Sequence, residues 1–105
     1  MQGWCDVPFR HVVALQWKPE TTFDQQAAIV RALRTLPNSI AEIRSYVVGE
    51  DARVNAGNHD VVIVADFDDV DGYLVYRDHP EHQRIITEMI APHLAARAAV
   101  QHRNP

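Results

Sequence analysis

From His11 to Lys18 two sets of side chains alternate, His11, Val13, Leu15 and Trp17 against Val12, Ala14, Gln16 and Lys18. A period of two with β-branched members predicts a strand, because successive Cβ atoms point to opposite faces of a sheet. Pro19 closes that strand. Thr22 followed by Gln25 is a capping-box pattern, in which hydroxyl and amide satisfy the free backbone groups of a helix start, so a helix is predicted from about Phe23. Ala27, Ile29, Val30, Leu33 and Leu36 recur at helical spacing and make one apolar face, with Arg31 and Arg34 pointing away. Pro37 is expected to end this helix.

Ile43 to Val54 is rich in β-branched residues and reads as a second strand, weakened or bulged at Gly49. Asn55 to Asn58 has turn chemistry, and the apolar run Val61 to Ala65 predicts a third strand buried on both faces, giving a hairpin. Asp68 or Asp69 is placed to cap a second helix whose stripe is Val70, Tyr73 and Leu74. Proline is accepted at a first helical position, so Pro80 marks a fresh start and the second helical region is segmented. Ile85, Ile86, Met89 and Ile90 form its inward stripe, Pro92 ends it, and Leu94 to Arg103 is the last strand.

The resulting order, β-α-β-β-α-β, is an α+β, ferredoxin-like plan with a four-stranded antiparallel sheet and both helical regions on one face. Apolar side chains on the other face need a cover. In a chain of 105 residues the available cover is a second copy, which predicts a homodimer. The length suits one domain over 1–105, with a core from about 9 to 103.

Titratable groups concentrate between Tyr76 and His82. On a helix His82 precedes Ile85 and Ile86 by three and four residues and so shares their inward face, where a neutral imidazole can act as general base or simply bond a backbone carbonyl in the core. Tyr76 could hold a carbonyl or enolate oxygen, or be a core aromatic with a wet tip. His11 lies on the face of Val13, Leu15 and Trp17, which would bring it toward His82 if that face meets the helices. His79 stands where an N-cap belongs and is expected to position the turn rather than react.

A metal reading of His79, Glu81 and His82 fails on geometry. Adjacent helical residues diverge by about a hundred degrees, and no second cluster supplies the remaining ligands. No cofactor is expected. Asp66, Asp68, Asp69 and Asp71 lack the glycine and glutamate spacing of a calcium loop, and Asp68 and Asp69 serve better as caps. His59 and Asp60 are read as solvated residues opening the third strand.

Composition narrows the partners. Ten basic against 14 acidic residues give a net charge of -4, which disfavours nucleic acid, since phosphate-binding surfaces cluster Lys and Arg. No apolar run nears the roughly 20 residues that cross a bilayer, so no membrane contact is expected. The lone Cys5 has no partner for an internal disulfide and no adjacent His or Lys to activate it, and Met1 to Asp6 lacks the run of a signal peptide. The expected compartment is cytoplasmic.

His79-Pro80-Glu81-His82 after Tyr76, with His11-Val12-Val13 and Glu42-Ile43-Arg44-Ser45-Tyr46, resembles the stress-responsive α/β-barrel domain family over nearly everything from Phe9 to Arg103. The resemblance implies a dimeric α/β barrel. It also implies catalytic candidates, because one plant member cyclises polyketides with a base in the second half of its His-Pro-x-His motif, an upstream Tyr and a first-strand His. These match His82, Tyr76 and His11, with no cofactor and a small hydrophobic carbonyl ligand. A third-strand His of that enzyme has no match here, where Val61 stands. The family also holds members without assigned activity, which leaves a non-catalytic, stress-associated oligomer as the alternative. A cofactor-free monooxygenase of the related dimeric-barrel type ranks lower.

Overall fold

The computed structural model describes residues 8–103, and Cys5, expected to be an inert thiol, lies outside them. Four strands, β1 (Phe9–Trp17), β2 (Ser45–Glu50), β3 (Val61–Phe67) and β4 (Leu94–Arg103), form one antiparallel sheet in the order β2-β3-β1-β4. The order follows from the connections: a helix joins β1 to β2 and leaves a slot between them, which the β2–β3 hairpin fills with β3. Helices α1 (Phe23–Arg34), α2 (Leu36–Ser39), α3 (Val70–Asp78) and α4 (Pro80–Ile85) join the strands. The ferredoxin-like α+β plan read from the sequence is the observed fold.

Alternation along β1 and β3 decides which face the helices cover. His11, Val13, Leu15 and Trp17 are buried, as are Val61, Ile63, Ala65 and Phe67, and all point to the same side of the sheet. Against them pack Ile29, Val30 and Leu33 of α1, Leu36, Ile40, Tyr76, Ile85 and Ile90. The capping box holds, with the Gln25 backbone N–H donating to Thr22 and the Thr22 N–H donating to the Gln25 side chain.

The first helix does end ahead of Pro37, at Arg34, and Pro37 itself falls in the first turn of the short α2 that follows. Proline has no N–H to give and its ring would crowd the carbonyl four residues back, so α1 must finish before it. Several expectations change. The second strand spans only Ser45–Glu50, and its pairing with β3 runs through Gly49 without a bulge. A Cβ at Gly49 would lie 3.4 Å from the Val62 side chain, an ordinary contact between paired strands. The sheet's irregularity falls instead at Gln16 and Trp17 against β4.

Within one chain β3 is buried on one face only, since Val62 on the other is 36% exposed. Asp69 caps α3, accepting from the Gly72 N–H at 2.9 Å, whereas Asp68 pairs with Arg44. Asp60 is no mere solvated residue: its carboxylate accepts from the Trp17 N–H at 2.7 Å and from Arg53 at 2.6 Å, clamping the β2–β3 loop to the end of β1. Gly57, at φ 88, supplies the left-handed turn of that loop.

Candidate functional site

The break between α3 and α4 builds the site. The backbone N–H of His79 bonds to the Tyr76 carbonyl, and Pro80 then opens α4 while the His79 Nδ1 accepts from the Glu81 N–H at 3.1 Å. His79 is therefore the N-cap, and it does not line the cavity described below. Glu81 is held by Arg84 on the outside of the turn.

His82 comes round the first turn of α4 and lays its ring over Tyr76, with centroids 4.1 Å apart and planes at 32°. Its Nδ1 lies 3.0 Å from the Arg77 carbonyl. A carbonyl only accepts, so Nδ1 carries the proton, and in the neutral ring Nε2 keeps a free lone pair. Burial lowers the pKa of His82 below its ordinary value, partly offset by this bond. The ring is neutral at neutral pH.

His11 reaches the same space from β1. The register sets it opposite Gln101 of β4, whose amide Nε2 lies 2.9 Å from His11 Nδ1. An amide nitrogen donates, so here Nδ1 accepts and the ring proton sits on Nε2. Burial first, then the charge of Arg97 and the neighbouring His82, pushes the pKa of His11 down to about 4. The two imidazoles are thus opposite tautomers, one presenting an acceptor nitrogen and the other a donor.

Tyr76 is 2% exposed and its hydroxyl lies 2.9 Å from that of Tyr46. Burial raises both phenols, Tyr76 to about 12 and Tyr46 further, so both stay protonated. Tyr73, Phe67 and Phe9 complete an aromatic wall, with Tyr73 4.9 Å from the His11 ring.

His82, His11, Tyr76 and Tyr73 border a cavity of about 240 Å³ whose floor is Val13, Leu15 and Ile63 and whose mouth is framed by Arg77, Gln83 and Arg97. After α4 the chain widens into a π-helix at Ile86–Ile90, the Ala91 N–H reaching back five residues to the Ile86 carbonyl. Ile86 and Ile90, at the two ends of that segment, both line the cavity. His82, Tyr76 and His11 are all brought together here. Tyr46, Gln101 and Arg97 were not picked out as site residues from the sequence, because their roles depend on cross-strand registers. Among the described residues no group of three or more His, Cys, Asp or Glu side chains is arranged to hold a metal, and no helix is long and apolar enough to cross a membrane.

The family model of the stress responsive A/B barrel domain matches residues 9–102. The chain belongs to that family. Among solved structures, this A/B barrel chain is similar to a dimeric ferredoxin-like protein of unknown function from Thermobifida fusca, at 38% identity and TM-score 0.87, covering 99% of this chain and 97% of that one. A dimeric ferredoxin-like protein from Bacteroides fragilis is 24% identical with a TM-score of 0.78, the match covering 92% of this chain and 96% of that one. A hydroxynitrile lyase from Passiflora edulis has a TM-score of 0.83 at 17% identity over 95% of each chain, a likeness of fold alone. No curated protein matches the chain.

The depressed pKa of His11 has a measurable consequence. Unfolded, its ring takes up a proton below about 6.5, whereas folded it resists until about 4, so its contribution to stability is whole above 6.5 and is lost as pH falls toward 4. Melting temperature is expected to drop more steeply over that interval in the wild type than in His11→Gln. Parallel profiles would contradict a neutral His11.

Proposed function

We propose that this A/B barrel protein is a homodimer in which each subunit binds a small hydrophobic carbonyl compound and acts on it without a cofactor, in the manner of a polyketide cyclase-like lyase with His82 as general base. The observation that carries the reading is the tautomer of His82: its Nδ1–H is committed to the Arg77 carbonyl, and the ring lines an apolar cavity with Nε2 left as acceptor. Dimeric relatives, above all the Thermobifida fusca protein, support the assembly.

In this reading His82 Nε2 removes a proton from a carbon between two carbonyls, and the electron pair moves onto one carbonyl oxygen as an enolate. Either hydroxyl of the Tyr46–Tyr76 pair can donate; with Tyr46 as the donor, the Tyr76 O–H is left to hold that enolate. The enolate carbon then attacks a ketone further along the same molecule, closing a ring, and the alkoxide formed takes the proton back from His82. His11, through its Nε2–H, orients the acceptor carbonyl.

The cavity of about 240 Å³ lies below the roughly 300–1,000 Å³ of drug-sized pockets, which favours a short chain over a large one. Its open mouth counts against the alternative of a purely structural oligomer with a sealed interior. The test is exchange of the active methylene hydrogens of a β-diketone in deuterated water, followed by NMR. Protein-dependent exchange is expected, and exchange no faster than buffer would sink the base assignment.

A further inference from the structure

The mouth of the cavity carries a charge that the proton-transfer reading does not use. Arg97 stands on the inner face of β4, paired in register with Leu15, two residues from Ala99 and four from Gln101 on the same face. It is exposed, and it makes no hydrogen bond or ion pair among the described residues. The other arginine that lines the cavity, Arg77, is engaged, gripping Asp78 at 2.8 and 3.1 Å. Among the described residues no Asp or Glu lines the cavity, although the chain as a whole carries a charge of -4. The two imidazoles inside are neutral, so Arg97 is the uncompensated charge of this pocket. Its field reaches the interior, being felt at His11.

We infer that Arg97 recognises a carboxylate on the ligand, and that the natural substrate is a small oxo acid whose acidic end sits at the mouth while its carbonyls enter between His82, Tyr76 and His11. The inference rests on the ligand site proposed above and adds its substrate class. A guanidinium presents paired donors that match a carboxylate in a bidentate fork, a geometry a neutral ester cannot return with equal strength. Ala99 stands between Arg97 and Gln101 on the inner face of β4, paired with Val13 of the cavity floor, and Gln101 pairs with His11.

The test uses 3,5-dioxohexanoate and its methyl ester as probes, with binding followed by calorimetry and methylene exchange by NMR. The acid is expected to bind about tenfold or more tightly than the ester, with an affinity that falls as salt rises. Arg97→Gln should remove that preference and leave ester binding unchanged, while Arg97→Lys should keep part of it. Equal binding of acid and ester by the wild type, no saturable binding of the acid at millimolar concentration, or equal losses for both probes in Arg97→Gln would each overturn the assignment. The two readings fail separately. Acid-selective binding that depends on Arg97 without any exchange leaves this inference standing and removes the base, whereas equal exchange and binding of both probes does the reverse.

Discussion

His82→Gln is expected to slow methylene exchange by about a hundred- to ten-thousandfold, the range that a positioned general base contributes. Glutamine can still donate from its amide toward the Arg77 carbonyl, so the turn between α3 and α4 keeps its bond while the basic nitrogen is lost. Ligand binding should change little, because the apolar floor of Val13, Leu15 and Ile63 and the cation of Arg97 remain. A fall in rate with affinity kept is the signature to look for, and an unchanged rate would remove His82 from the mechanism.

The pH dependence follows from the same geometry. The base works as the neutral ring, and burial lowers its pKa below the ordinary 6.5, so the rate should hold as pH falls past 6.5 and decline only once the lowered value is reached. An acid limb centred at or above 6.5 would mean that the ring is more solvated than its contact with Tyr76 implies.

Local chemistry explains why some of this was legible in sequence. A strand's period of two put His11 on the face of Val13 and Leu15, and the proline at Pro80 required both a helix restart and a cap at His79, so neither residue's place depended on distant contacts. What stayed hidden was set by pairing. Gln101 fixes the tautomer of His11, yet the two lie 90 residues apart and meet only through the β1–β4 register. Tyr46 meets Tyr76 only because β2 lies at the sheet edge beyond β3, a placement no local pattern records. The π-widening at Ile86–Ile90 was invisible for another reason: the residues fit an ordinary α-helical stripe, and only a bond pattern one residue longer reveals the change.

Val64→Glu is expected to turn the proposed dimer into a folded monomer, because the sheet face away from the helices carries an apolar stripe that nothing among the described residues covers. Val47, Val64, Val12 and Val100 stand side by side across all four strands in one register row. Val47 is 53% and Val100 65% exposed in the single chain. The next row is Gly49, Val62, Ala14 and Ala98, and on the opposite flank Arg10 grips Asp66 through two bonds of 2.7 and 2.9 Å. An apolar centre with a polar flank is the anatomy of a protein interface, and in a two-fold contact each substitution enters twice. Two carboxylates would then lose water without a partner, at a cost of several kcal/mol each, more than a contact built on small residues can offset. The fold itself should survive, since Val64 points away from the core of Phe67, Ile63 and Ala65. Light scattering reads the mass and circular dichroism the fold. Gln16→Glu, outside the valine row, is the control expected to remain dimeric. If Val64→Glu keeps the dimer's mass, the subunits meet through another surface, and the valine row needs a different cover. If it becomes monomeric and still exchanges β-diketone hydrogens, the cavity lined by one chain works alone, and the partner's contribution is confined to covering the sheet.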